Sequence, residues 1–157
     1  MISFHTEDVE FKLKNKTRLK KWIVATIEKK KRNAGDISYV FCSDSFLLKM
    51  NKEYLNHDTY TDIITFDYSI EDNKLPISGD IFISIERVKE NAEKFSIKKS
   101  AEGDNRKQEQ VRFENELHRI IIHGTLHLLG YKDKTKIAKA EMTKQEDLCL
   151  AQLKKIN

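Results

Sequence analysis

The chain has 157 residues, 39 % apolar and 34 % charged, enough for one domain with its own core and too apolar for a disordered segment. Its formal charge of +4, from 29 basic and 25 acidic residues, permits a nucleic-acid partner without demanding one. No apolar run reaches the roughly 18 residues of a membrane span, and the acidic, alternating start Met1–Asp8 is unlike a signal peptide, so a cytoplasmic address is expected.

Residues 2–6 read as a short strand. Leu19, Trp22, Ile23 and Ile27 fall at i, i+3, i+4 and i+8, which predicts a helix over about 17–32. Its basic last turn suits the negative end of the helix dipole, and Asn33-Ala34-Gly35 is the expected stop. Ile37–Cys42 is β-branched and aromatic, hence a strand. Ser43 or Asp44 can cap a following helix in which Phe46, Met50 and Tyr54 share a face. A polar loop over 56–62 leads to a strand at 63–66. A turn over 73–79 holds the only proline, Pro76, before a strand at 80–84.

The next helix carries Val88, Ala92 and Phe95 on one side. Lys98–Gln110 is polar and unpatterned, a loop or a helix start without a domain boundary. From about Arg112 to Leu129 a helix becomes apolar all round, so its C-terminal half is expected to be buried. A last helix covers about 135–154. Strands mixed with helices imply an α+β fold, a single domain over 1–157 with a small mixed β-sheet packed against helices. Cys42 and Cys149 belong to no CxxC pair and read as reduced core thiols. The basic clusters Lys12–Lys21, Lys29–Arg32 and Lys132–Lys139 read as solvated helix faces and ends.

Three residues carry chemistry. His123 and His127 are four apart, so on a helix they stand about 40° apart and one turn up, able to reach one ion. Gly130 offers a left-handed helix stop, after which the chain can turn back and bring Asp133 beside the two imidazoles. The pattern H-x3-H-x2-G-x2-D has the spacing of the zinc stretch of metzincin peptidases. Two histidines and one carboxylate leave a tetrahedral ion one open position, as catalytic sites do, where water can be activated. Peptidases carry a glutamate base after the first histidine; here that place is Gly124, so peptide hydrolysis loses its base. His118 points about 140° away from His123 and reads as structural. Arg119 lies one turn before His123, either paired with Glu116 on the surface or facing an anionic substrate beside the metal.

The stretch His123-Gly-Thr-Leu-His-Leu-Leu-Gly-Tyr131 closely resembles the HGxLHLxGYDH signature of the YbeY family of bacterial endoribonucleases, or rRNA maturation factors. Leu48–Asn51 with Tyr54, Thr61–Phe66 and Gly79–Ile83 fit as well, so the resemblance covers roughly 37–146. It implies an α+β fold with one zinc ion on the long buried helix and the turn after it. It also implies a metal-dependent endoribonuclease that prefers single strands. Its expected role is maturation of the small-subunit (16S) rRNA 3′ end and ribosome quality control, with ribosomal components as partners.

Two departures stand out. The family's third histidine is Asp133 here, a competent ligand that lowers the net charge of the loaded site, and Lys132 stands where the family has aspartate. Many members carry an arginine just after a tyrosine in a Y-R-x-x-D-x-P-T-D segment; here Leu55 takes the arginine place and Tyr60 the proline place. Arg119 is the first candidate to supply the missing cation. Asp62 and Asp80 are candidate bases, with turn or cap roles as the plainer reading. The rival to the nuclease is a metal-stabilised factor that binds rRNA or the ribosome with little catalysis of its own.

Overall fold

The structure, a computed structural model, describes residues 1–69, 74–94 and 106–157. In chain order the elements are β1 (Ile2–Thr6), α1 (Lys16–Lys29), β2 (Ala34–Cys42), α2 (Asp44–Leu55), β3 (Ile63–Asp67), β4 (Ile77–Ser84), α3 (Ile85–Lys94), α4 (Arg106–Leu128) and α5 (Lys136–Leu153). The strands form one sheet in the order β1-β2-β4-β3. β1 and β2, and β2 and β4, are parallel, whereas β3 runs antiparallel to β4. The fold is therefore α+β with a mixed sheet, as the element order implies.

The local rules that mark the elements mostly hold. Ser43 caps α2 by accepting a hydrogen bond from the Phe46 amide. Thr135 does the same for α5 through Ala138. The end of α1 differs from its sequence reading. Lys31 adopts the left-handed conformation with φ 59°, and the Lys31 and Arg32 amides return to the carbonyls of Glu28 and Ile27. That is a Schellman stop completed before the glycine is reached. Ala34-Gly35 is thereby released to begin β2, where Ala34 pairs with Ile77 ahead of a register shift. β4 likewise starts at Ile77, inside the expected turn. Phe95 and residues 98–105 lie outside the described residues.

Strand alternation divides the core. Tyr39 and Phe41 of β2 and Ile81 and Ile83 of β4 face α1, α4 and α5, and join Trp22, Ile23, Ile121, Leu126 and Cys149 in the larger cluster. Cys42, Ile64, Phe66 and Phe82 point the other way and meet Leu47, Phe46 and Met50 of α2. Both thiols are free and buried. Burial pushes Cys42 up to about 12, and the Cys149 thiol is also raised, so both stay protonated. Trp22 anchors α1 to α5 by donating from its indole to the Cys149 carbonyl at 2.8 Å. Among the described residues no helix is long and apolar enough to cross a membrane.

α4 lies directly on the sheet. Tyr39 and Thr125 share a buried hydrogen bond of 2.7 Å between hydroxyls. A Cβ at Gly124 would stand 2.8 Å from Ile81 Cγ2 and 2.9 Å from Ile63 Cδ1. Glycine at this point is thus a packing requirement: the helix backbone sits where a side chain would go. Gly124→Ala should push α4 off β3 and β4 and cost about 1–3 kcal/mol, the usual scale of overpacking. Thermal or denaturant unfolding checks this, with a melting temperature lowered by several degrees as the expected outcome.

Candidate metal centre

The site is built at the end of α4. Residues Leu117 to Leu128 include eight buried positions, so this half of the helix is fixed by packing on nearly all sides. Its stop follows the sequence expectation. Gly130 takes φ 99°, its amide donates to the His127 carbonyl at 3.0 Å, and the Tyr131 amide donates to the Leu126 carbonyl at 3.0 Å. This Schellman turn folds 131–135 back over the last helical turn. The reversal brings Asp133 to the histidines.

His123, His127 and Asp133 form a group whose ligand atoms all lie within 4.8 Å of one another. The two Nε2 atoms are 2.9 Å apart. Asp133 Oδ2 stands 3.3 Å from His123 Nε2 and 3.4 Å from His127 Nε2. Donor atoms about 2.0–2.1 Å from a tetrahedral ion are roughly 3.3–3.4 Å apart. Both carboxylate distances match that edge, and the nitrogen pair needs only about 0.4 Å of parting to reach it.

The far side of each ring explains why the Nε2 atoms converge. His127 donates from Nδ1 to the Tyr131 carbonyl at 3.0 Å, an acceptor supplied by the same turn that ends the helix. His123 donates from Nδ1 to Glu146 Oε2 at 2.6 Å. With both Nδ1 protons committed, two bare Nε2 lone pairs would repel at 2.9 Å. A proton or a metal cation between them removes the conflict, and the donor set fits a zinc-like ion.

The ionisation pattern agrees. Burial pushes His123 down, but the hydrogen bond and charge of Glu146, with Asp133 and Asp62, outweigh it, and its pKa lies above 6.5. Burial and the neighbouring His123 hold His127 below 6.5. Of the two rings, His123 is thus the one whose surroundings favour a proton.

Of the two candidate bases, Asp62 belongs to this neighbourhood. Burial raises its pKa, His123 lowers it, and Asp133 raises it. Its carbonyl accepts from the Ser84 amide at 3.0 Å, which fixes the start of β3. Asp80 points away from α4, because it alternates with Ile81, and its carboxylate accepts from the Tyr68 hydroxyl at 2.7 Å. His118 is turned toward Trp22, ring centroids 6.2 Å apart, and burial lowers its pKa.

Arg119 stands one turn before His123, where its spacing puts it. Its guanidinium donates to Glu146 Oε1 at 2.9 Å and to Asp147 Oδ1 at 2.8 Å. Neither a surface pair with Glu116 nor a free fork aimed at a substrate describes this geometry. Leu55 ends α2 exposed, and Tyr60 lies under Arg87, whose guanidinium carbon is 5.0 Å from the ring centroid. Arg87 in turn grips Asp44, with Nε 3.0 Å from both carboxylate oxygens.

Glu146 is the residue that motif reading misses, because it lies 23 residues beyond His123. A signal for it exists. Met142, Cys149 and Leu153 form the buried stripe of α5, and Glu146 is a charged residue on that stripe, 7 % exposed.

The sequence profile of the family described as endoribonuclease YbeY matches residues 1–154. A Flavobacterium psychrophilum protein named endoribonuclease YbeY is 44 % identical over 147 residues, 94 % of this chain and 92 % of its own length. A Flavobacterium johnsoniae protein of the same name is 45 % identical and covered to 93 %. A Thermotoga maritima protein solved in solution superposes with a TM-score of 0.60 at 25 % identity, covering 98 % of this chain and 89 % of that one. Profile, sequence and fold agree across the whole length, and the chain belongs to the endoribonuclease YbeY family.

Proposed function

We propose that this chain is a zinc-dependent endoribonuclease acting on single-stranded rRNA, at the 3′ end of the small-subunit RNA during late ribosome maturation in the cytoplasm. One zinc ion would be held by His123, His127 and Asp133. The observation that carries this reading is the convergence of two Nε2 atoms and one carboxylate oxygen at close to tetrahedral spacing. Three protein ligands leave a fourth position for substrate or water. When bound, the ion would polarise a phosphate oxygen and lower the pKa of a water.

The chain's own residues supply the rest. Lys132, Lys134, Lys136 and Lys139 are exposed on the turn that carries Asp133 and the first turns of α5. They suit phosphates along an RNA strand without reading its sequence. Asp62 interacts electrostatically with His123 and has a pKa raised by its burial, which suits it to accept or return a proton during phosphodiester cleavage. Gly124, packed on Ile81 and Ile63, has no room for the glutamate base of a peptidase. The relatives' name, endoribonuclease, favours catalysis over the alternative of a metal-stabilised assembly factor that only binds rRNA or the ribosomal small subunit.

Purified protein should carry about one zinc per chain, and His127→Ala should lose it, as read by metal analysis. Asp133→Ala should weaken zinc at least about 100-fold in chelator competition, whereas Asp133→His should restore it. A structured fragment of small-subunit rRNA should be cut by the wild type and spared after chelation; binding without cuts would support the assembly factor. Because the His123 pKa lies above 6.5, zinc must displace a proton there. Apparent affinity should therefore begin to fall above pH 6.5 and continue to fall with acidification. A competition series across pH checks this, and a flat profile down to pH 6.5 would contradict it.

A further inference from the structure

We infer that Arg119 and Glu146 are a positioning pair that selects the metal-binding tautomer of His123, rather than groups that meet the substrate. The inference rests on the reading of His123, His127 and Asp133 as a metal site. A neutral imidazole carries its proton on one nitrogen only, and ligation through Nε2 requires that the proton sit on Nδ1. At His127 the backbone ensures this, since the Tyr131 carbonyl can only accept. At His123 a side chain from another helix must do the same work.

Glu146 is buried at 7 % exposure, and its two oxygens are divided between two donors. Oε2 takes the His123 Nδ1 proton at 2.6 Å, and Oε1 takes Arg119 Nη1 at 2.9 Å. Arg119 is held from the other side, Nη2 to Asp147 Oδ1 at 2.8 Å. A guanidinium has donors only, so whatever atom faces it must accept. The chain of contacts thus runs Asp147, Arg119, Glu146, His123, and each link fixes the orientation of the next. It crosses from α4 to α5 and back, so the packing of these helices sets the ring that points at the ion.

The logic makes an unusual demand on Glu146→Gln, which is nearly isosteric. Arg119 accepts nothing, so it must face the glutamine oxygen. The amide NH2 then faces His123 Nδ1 and donates to it. The ring proton is driven to Nε2, and the lone pair that would bind metal is lost. Removing the arginine as well, as Arg119→Met with Glu146→Gln, frees the amide to flip and present its oxygen to Nδ1. The second substitution should therefore repair the first.

Two readouts test this. Imidazole nitrogen shifts in metal-free, 15N-labelled protein at alkaline pH report the tautomer without any metal, and the amide spectrum of the same sample reports folding. Wild type should have His123 protonated on Nδ1, Glu146→Gln on Nε2, and the double variant on Nδ1 again. Zinc affinity, by competition with a chromophoric chelator, should fall about 10–100-fold in Glu146→Gln and recover most of that loss in the double variant. An Nε2-protonated His123 in the wild type would overturn the inference without recourse to any variant. So would a Glu146→Gln protein with unchanged tautomer and zinc affinity, or a double variant no better than the single. Arg119→Met with full zinc affinity and lost RNA cleavage would return Arg119 to the substrate. A wild type that binds no zinc would instead defeat the metal reading itself.

Discussion

Everything at the candidate metal centre depends on how closely α4 lies against the sheet. A helix with two histidines on one face is common; a helix whose histidines cannot rotate is not. Gly124 allows contact with Ile81 and Ile63 at a distance no Cβ would tolerate. Thr125 adds a buried hydrogen bond to Tyr39. With Ile120, Ile121, Ile122 and Leu126 buried around it, the helix has no freedom to roll. His123 lies between these anchors along the chain and His127 directly follows the last of them, so both inherit their rigidity. The glycine between them in the motif serves this purpose, and its position where peptidases keep a base is a consequence of packing rather than a lost catalytic group.

The second constraint is the reversal at Gly130. One backbone arrangement performs three tasks there. It satisfies the last carbonyls of α4, it presents the Tyr131 carbonyl to His127, and it returns the chain so that Asp133 reaches both rings. A substitution at Gly130 would disturb all three together, because φ 99° is a conformation side chains rarely adopt. The two histidines are thus fixed by different means. One is oriented by local backbone, the other by a carboxylate brought from α5.

That difference explains what sequence could reveal. His123, His127, Gly130 and Asp133 are separated by fixed helical and turn spacings, so their convergence is legible from geometry alone. The cap at Ser43 and the burial of α4 are legible for the same reason, being local or periodic. Glu146 is not, since nothing near His123 in the chain points 23 residues ahead. Its only trace is a charge on an apolar stripe. Helical spacing puts Arg119 one turn before His123, but its partners belong to α5, and that spacing says nothing about them. The stop of α1 departs from the sequence reading for a related reason: Lys31 takes the left-handed position that composition assigns to Gly35. A Schellman turn requires a left-handed residue at a fixed position after the last turn, and Gly35 comes four residues too late to supply it.

The absence of an arginine at Leu55 takes on a different meaning in this light. The two best-placed arginines, Arg119 and Arg87, are each engaged with carboxylates, Glu146 and Asp147 for one and Asp44 for the other. Transferring either to a phosphate would leave a carboxylate behind without its cation, and for Glu146 that carboxylate is buried. The centre also gathers acidic groups: Asp133, Asp62, Glu116 and Glu146 act on one another's ionisation or on that of the histidines. A cation in the cluster offsets that repulsion, which helps hold a divalent ion where only one ligand carries charge. The same negative field repels a phosphodiester that approaches without an ion in place. If the site holds an ion as proposed, RNA binding beside it would be coupled to metal loading. Under the proposed function a bound divalent ion would lower the negative charge of this cluster, and the lysines outside the centre would hold the strand.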